Sequence, residues 1–268
     1  MDDITLVMVT VDRAPKENYL FYTMSNMLRS GVFTSERLRT FHIVDSGSPQ
    51  ADDWNLWWPD RVLRTTELSF GTTGAEHIQV HSTPERRSGK QNTAAALRIG
   101  AEHADDGGWV LFMEDDLDVC HDFLGSVGRW LDRFEGDDLV LPKRPIYPFS
   151  GDNSTIRTQV AKGLASWEYP VPWFWGLQAF ACRPAVANDL AQWLEDHPLF
   201  VHTDGRLDEN AHDLEMHNWA RARDYTHFRG SCPSFVQHIG WETSIFGNVM
   251  GGAKVTFPSW PGPEWSFK

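Results

Sequence analysis

The sequence has 268 residues and a formal net charge of −13, with 41% hydrophobic and 23% charged residues. This composition excludes an intrinsically disordered chain, and the acidic balance argues against sequence-independent nucleic-acid binding, which depends on Lys and Arg. No apolar run reaches the roughly 18 residues that a membrane-spanning helix needs. The amino terminus opens with two acids rather than the basic residues of a secretory signal, and the three cysteines are far apart. We therefore expect neither secretion nor a disulfide framework.

The first half of the chain alternates apolar runs with helical patterns. Residues 4–11 are almost continuously apolar, which is typical of a strand covered on both faces. Further strands are predicted at 41–44, 78–81 and 109–113. Apolar residues recur at helical spacing between these strands, and again after the last of them, at Leu20, Met24, Met27, Leu28, Ala94, Leu97, Ala101, Phe123, Val127 and Trp130. This order predicts an α/β sandwich with a mostly parallel sheet and right-handed crossovers.

The second half of the chain is less regular. Residues 142–172 are rich in Pro, Gly and Ser and are expected to form long loops. A strand is predicted over 174–182, followed by a helix whose first turn contains Pro184. Another helix is predicted over 212–223. The segment 251–268, rich in Gly, Pro and Trp, is predicted to be a tail or a lid.

Three carboxylates stand in a row where the 109–113 strand ends, at Glu114, Asp115 and Asp116. In open α/β sheets, ligands bind beyond the carboxyl ends of the strands. Strand alternation predicts that Glu114 and Asp116 lie on one side and Asp115 on the other. Carboxylate oxygens suit Mg²⁺ or Mn²⁺. A polar turn that merely ends a strand is the competing interpretation.

This acidic strand end, followed by Leu117-Asp118-Val119, resembles the DXD-type motif of GT-A glycosyltransferases, which use nucleotide sugars on a Rossmann-like α/β core. Residues 89–92 lead into an Ala-rich helix before that strand, as in the family. The segment 233–240 (PSFVQHIG) is similar to one in N-acetylglucosaminyltransferase-IV-like and related bacterial or phage enzymes. The resemblance extends from residue 4 to about residue 246. It implies one GT-A domain over 1–268, with a donor-binding half at 1–120 and an acceptor and catalytic half at 121–250.

The resemblance also implies roles for individual residues. Asp116 and His238 would hold the metal, and Glu114 would reach it through water or contact the donor ribose. Imidazole favours Mn²⁺ over Mg²⁺. For inverting transfer, Asp213 at a helix start is the expected base, with Glu215 as the second candidate. Both are also explained as ordinary acids of a helix N-terminus, and a retaining enzyme would need no such base.

Other donor contacts are expected from polar residues near the strand ends. They are Thr10, Asp12, Arg13, Asp45, Arg86, Arg87, Lys90, Asn92 and Asp115. Turn residues, a solvated basic loop or, for Asn92, a helix cap are the structural interpretations of these positions. Trp173, Trp175 and Gly176 are expected to form an acceptor platform, because aromatic faces stack on sugar rings and glycine permits close approach; core packing is the alternative for the tryptophans.

The sequence thus predicts a hexosyltransferase that moves a sugar from a nucleotide sugar, with a UDP-sugar favoured, to a hydroxyl. The acceptor is a saccharide, a small molecule or a hydroxymethylated pyrimidine in phage DNA, and a cytoplasmic bacterial or phage enzyme is expected. A non-catalytic nucleotide-sugar-binding module and a nucleotidyltransferase remain alternatives, although residues 10–15 lack the glycines of a nucleotidyltransferase loop. A zinc site at His212 and His217 is excluded, because residues five apart lie on different faces of a helix.

Overall fold

A computed structural model describes residues 3–11, 19–47, 78–133, 136, 138–141, 166–171, 177–231, 234–239, 263, 264 and 266. The strands are β1 (Ile4–Thr10), β2 (Leu38–Ser46), β3 (Ile78–Thr83), β4 (Trp109–Glu114), β5 (Leu117–Val119), β6 (Leu139–Leu141), β7 (Ser166–Pro170), β8 (Ala179–Cys182), β9 (Phe200–Val201), β10 (Leu207–Asp208), β11 (His227–Ser231) and β12 (Val236–His238). The helices are α1 (Leu20–Arg29), α2 (Gly89–His103), α3 (Phe123–Leu131), α4 (Pro184–Asp196) and α5 (His212–Ala222), with a short 3₁₀ turn at Val32–Thr34.

Within the described part of the chain, the central sheet has eight strands in the order β3-β2-β1-β4-β8-β6-β11-β7. Strands β3, β2, β1 and β4 are parallel neighbours, β6 and β11 are parallel to each other, and β8 and β7 run antiparallel to their neighbours. Two small antiparallel pairs, β9–β10 and β5–β12, lie outside this sheet. The mostly parallel α/β fold expected from the alternating pattern is therefore confirmed.

Helices cover both faces of the sheet, as the continuous apolar runs of its strands require. One hydrophobic cluster joins Leu6, Met8 and Leu111 to the buried sides of α1 and α3. A second cluster joins Val7, Val110 and neighbouring residues to α2, α4 and α5. The result is a three-layer α/β/α arrangement. None of the described helices has the length and apolar character needed to cross a bilayer.

Several boundaries differ from the expected ones. Within the predicted strand 174–182, the described strand begins only at Ala179, and β3 extends two residues beyond the predicted 78–81. Ser88, and not Asn92, caps α2: its hydroxyl accepts the amide N–H of Gln91, and the Gln91 side chain accepts the Ser88 N–H. The helix-cap interpretation of Asn92 was therefore wrong. The acceptor platform at 173–176, most of the predicted loops at 142–172 and most of the tail lie outside the described residues.

Three histidines meet where β2, β3 and the end of α2 come together. The Nδ1 atom of His42 lies 3.0 Å from Nε2 of His81, and the ring centroids of His42 and His103 are 4.3 Å apart. Burial lowers the pKa of His42 to about 3, and the neighbouring His103 and His81 contribute in the same direction. The folded protein therefore favours the neutral imidazole, whereas an unfolded chain would protonate it near its ordinary value of 6.5.

This pKa difference predicts a loss of stability in acid. The contribution of neutral His42 is complete above pH 6.5 and is lost as the pH falls from 6.5 towards 3, because only the unfolded chain gains the proton in that window. Over this range the free energy of unfolding should depend less steeply on pH in His42→Gln than in wild type. The difference between the two slopes should be up to about 1.4 kcal/mol per pH unit. Urea unfolding at several pH values measures the slope, and exposed His121→Gln is the control. Equal slopes in wild type and His42→Gln would contradict the prediction.

Candidate donor-binding site

Polar side chains of four strands meet at one edge of the sheet. Strand register pairs Thr10 with Asp45 and Asp45 with Ser82, and it pairs Val9 with Glu114. Because these strands are parallel, their carboxyl ends open on the same side, where the α/β topology leaves a crevice. The neighbouring positions expected from the sequence are thus brought together by the register.

A cleft of about 460 Å³ opens at this edge. The cleft is lined by the ends of β1 and β4, by the loop before α2 and by the start of that helix. Glu209, Asn210 and His212, before and at the start of α5, also line it. Six of the residues expected to bind a donor line the cleft: Thr10, Arg86, Arg87, Asn92, Glu114 and Asp115.

The acidic segment does not continue the alternation of β4. The strand ends at Glu114, and the next two residues form a bend before β5. Glu114 and Asp115 consequently both line the cleft, while Asp116 turns to another partner. Asp115 is buried and accepts a hydrogen bond from the Thr10 hydroxyl at 2.6 Å. The predicted sidedness of the three carboxylates was wrong because strand geometry stops one residue too early.

Asp116 meets an imidazole from far along the chain. Its Oδ2 atom lies 3.1 Å from Nε2 of His238, and the two side chains are only 11% and 15% exposed. The backbone supports this contact, because β12 pairs with β5 and the Ile239 N–H donates to the Asp116 carbonyl oxygen. A carboxylate and an imidazole that are 122 residues apart in sequence are therefore held side by side.

Glu114 has a histidine partner of its own. Nε2 of His212 lies 3.3 Å from Oε1 of Glu114, and both residues line the cleft. Burial lowers the pKa of His212, but the hydrogen bond and charge of Glu114, with smaller contributions from Asp213 and a backbone hydrogen bond, outweigh burial and raise it overall. From the sequence, His212 stands out only as half of the excluded zinc pair. Its position at the start of the predicted 212–223 helix, next to the expected base Asp213, is the signal that could have identified it as a site residue.

The basic loop before α2 is held to the end of β2 by hydrogen bonds. The Ser46 hydroxyl accepts the Arg87 N–H at 2.6 Å and donates to the Arg87 carbonyl oxygen at 3.1 Å. Gly47 has a φ of +61°, and a Cβ there would overlap the backbone nitrogen of Arg86. Glycine is needed at this position both for its conformation and for the close approach. With the loop held in this way, both arginines line the cleft.

Lys90 and Glu215 are placed differently from the other expected site residues. Lys90 Nζ lies 2.9 Å from Oε2 of Glu215, and the side chains are 0% and 4% exposed. Lys90 Nζ also donates to the His197 carbonyl oxygen, and the Trp193 indole donates to Glu215. Neither residue lines the cleft. The pair joins α2, α4 and α5 in the interior of the protein. We therefore no longer expect Lys90 to contact the donor or Glu215 to act as the base.

The remaining expected residues have mixed positions. Asn92 lines the cleft, and its Nδ2 donates to the carbonyl oxygens of Thr10 and Val44, so it also ties the ends of β1 and β2 together. Asp45 is buried beside the cleft without lining it. Asp213 is half-buried in the first turn of α5, where its carboxylate accepts the Leu214 N–H. Asp12, Arg13, Trp173, Trp175 and Gly176 lie outside the described residues.

A metal ion fits this site only if protein side chains and substrate phosphates share its coordination shell. Among the described residues, no three His, Cys, Asp or Glu side chains converge on one point, since Glu114 faces His212 while Asp116 faces His238. Divalent ions in phosphate-binding enzymes are commonly held by one or two protein ligands, with substrate phosphates and water completing the shell. The Asp116–His238 pair offers one hard oxygen and one imidazole, which fits Mn²⁺ held in this way.

A second hollow of about 760 Å³ lies near β6, β11 and the ends of α4 and α5. Several of its charged side chains are already in ion pairs, between Asp189 and Arg223 and between Glu168 and Arg229. Of the expected site residues that the structure describes, none lines this hollow. We therefore place the candidate site at the carboxyl edge of the parallel strands.

No protein-family model and no curated protein matches the sequence. Solved structures with a similar fold include a mycobacterial protein (15% identity, TM-score 0.47), with 89% of this chain and 68% of that chain covered. S. aureus TarS has 10% identity and a TM-score of 0.46, with coverage of 89% and 37%. The galactosyltransferase LgtC, solved with donor and acceptor sugar analogs, has 15% identity and a TM-score of 0.43, with coverage of 80% and 70%. Identities and TM-scores this low do not indicate an activity for this chain.

Proposed function

We propose that the protein is a metal-dependent glycosyltransferase that takes its sugar from a nucleoside diphosphate sugar, with UDP-sugars favoured. The observation that carries the proposal is the contact between Asp116 and His238. Asp116 follows the cleft residues Glu114 and Asp115 directly in the chain. Asp116 and His238 do not themselves line the cleft, but two arginines do. Cations in the cleft and a carboxylate–imidazole pair next to it suit a ligand that carries a diphosphate. The resemblance of residues 113–119 and 233–240 to GT-A motifs supports the same conclusion.

Each part of the cleft then has a chemical task. Arg86 and Arg87 would bind the donor diphosphate, because guanidinium groups match phosphate oxygens in charge and geometry. Asp116 and His238 would hold Mn²⁺ or Mg²⁺, which would neutralise the charge on the departing diphosphate. Thr10 and Asp115, fixed to each other, would form the wall against which the nucleoside lies.

The transfer step that we propose is inverting. An acceptor hydroxyl oxygen would form the new bond to the anomeric carbon as the bond from that carbon to the diphosphate oxygen breaks. Asp213, in the first turn of α5, would take the proton of the hydroxyl. The acceptor class is a hydroxyl of a saccharide or small molecule, or of a hydroxymethylated pyrimidine in DNA.

Calorimetric titration tests the donor class. We expect UDP to bind with measurable heat when Mn²⁺ is present and to bind at least about tenfold more weakly without it, because the Asp116–His238 pair and the diphosphate complete one coordination shell together. GDP serves as the comparison for base preference. Absence of metal-dependent binding with either nucleotide would refute the proposal. Turnover of a nucleoside triphosphate with a sugar phosphate would instead identify a nucleotidyltransferase.

A further inference from the structure

Residues 208–212 form a bracket between two helices that approach the cleft. The side-chain Oδ1 of Asn210 accepts the N–H of Gly89, the first residue of α2, at 2.8 Å. The Glu209 carbonyl oxygen accepts the Lys90 N–H at 3.4 Å. A segment 121 residues further along the chain thus satisfies two amides that the start of an α-helix leaves without intrahelical partners.

The bracket also determines where His212 lies. The Asn210 carbonyl oxygen accepts the backbone N–H of His212 at 2.7 Å, and the Asn210 N–H donates to Asp208 at 2.8 Å. A Cβ on Gly89 would lie 3.1 Å from Nδ1 of His212, so the helix and the imidazole are in close contact. The same imidazole reaches Glu114 at 3.3 Å.

We propose that Asn210 is a positioning residue of the donor site, which holds the His212 imidazole against Glu114 and thereby orients that carboxylate. The inference rests on the proposed function, because it requires that the cleft containing Glu114 binds the nucleotide. Asn210 acts through hydrogen bonds and not through contact with the donor: its side chain accepts the Gly89 N–H, its carbonyl oxygen accepts the His212 N–H, and its own N–H donates to the Asp208 carboxylate. No motif in the sequence marks it, since its partners are 121 residues away or adjacent to it.

Three variants separate the bracket from the imidazole that it holds. Asn210→Ala removes the acceptor of the Gly89 N–H, so amide exchange in residues 89–92 should accelerate by about two- to tenfold, the effect of losing one hydrogen bond. UDP affinity in the presence of Mn²⁺ should fall by about tenfold through the loss of Glu114 orientation. His212→Gln should give the affinity loss with unchanged exchange. Asn210→Asp keeps an acceptor for Gly89 and should restore slow exchange.

Hydrogen exchange followed by mass spectrometry, together with UDP titration, distinguishes the outcomes. The exposed Asn188→Ala on α4 is the matched control and should change neither quantity. Faster exchange in Asn210→Ala without an affinity change would reduce the bracket to a purely structural contact and overturn the inference. Unchanged exchange, or an affinity loss without faster exchange, would also overturn it. If wild type binds neither UDP nor GDP, the proposed function fails, and the exchange results still report on the bracket separately.

Discussion

Replacing Asp116 by Ala is expected to weaken manganese-dependent UDP binding by at least about 100-fold, because changes around a bound metal commonly cost 10- to 100-fold even when they affect only outer contacts. The side chains of Asp116 and His238 lie 3.1 Å apart and are mostly buried. Removal of either side chain leaves only one of the two proposed metal ligands. His238→Ala should therefore show the same loss. Calorimetric titration of UDP with and without Mn²⁺ measures it.

A matched control is Asp106, an exposed carboxylate in the turn before β4, at the opposite end of that strand from Glu114. Asp106→Ala should leave UDP binding at the wild-type level. Wild-type metal dependence in Asp116→Ala or His238→Ala would show that this pair does not hold the metal.

The proposed base gives a different signature from the metal ligands. Asp213→Asn preserves shape and should retain UDP binding, while release of UDP from a bound UDP-sugar should slow by about 10²- to 10⁴-fold, the usual contribution of a positioned base. If turnover stays normal, Asp213 is not the base, and a retaining reaction becomes the better interpretation.

The largest effect on stability is expected from the buried ion pair. Lys90→Met leaves the Glu215 carboxylate as an uncompensated buried charge, and breaking such a pair costs about 3–5 kcal/mol. Glu215 retains hydrogen bonds from the Trp193 indole and the Asn218 amide, but neither supplies a positive charge. Urea unfolding should show a lower midpoint with little change in slope.

Two further variants test this explanation. The double variant Lys90→Met/Glu215→Leu should regain part of the lost stability, since it removes both charges together. Arg98→Met is the control, because the Arg98–Glu195 pair is 37% and 43% exposed and such pairs contribute only about 0–1 kcal/mol. A Lys90→Met variant as stable as Arg98→Met would show that the buried pair is energetically neutral.

The position of this pair links stability to the site. Lys90 follows Gly89, whose N–H is bound by Asn210, and Glu215 follows His212 by one helical turn. The ion pair and the bracket therefore join the same two helix starts, one in the interior and one at the cleft. A fold-stabilising contact thus supports the geometry that the proposed donor site requires.

The sequence alone was sufficient for the mostly parallel α/β architecture and for the expectation of a site at the carboxyl ends of its parallel strands. Continuous apolar runs such as 4–11 identify strands that are buried on both faces, and their alternation with helical stripes predicts a mostly parallel sheet. Because parallel strands share a carboxyl edge, residues that follow them, such as Thr10 and Glu114, could be expected to be neighbours. These inferences depend on local periodicity and on one topological rule, both of which are visible in a single chain.

Only the tertiary structure decided which polar groups are partners. Lys90 and Arg87 are nearly adjacent in sequence and carry the same charge, yet they point in different directions. The rotation of α2 directs Lys90 into the interior, whereas hydrogen bonds between Ser46 and the Arg87 backbone hold Arg87 at the cleft. The contacts of His212 with Glu114 and of Asn210 with Gly89 join residues about 100 positions apart. Such contacts depend on strand register, on where β4 ends and on how α5 packs against α2. Those are properties of the packed layers, and no local pattern in the sequence records them.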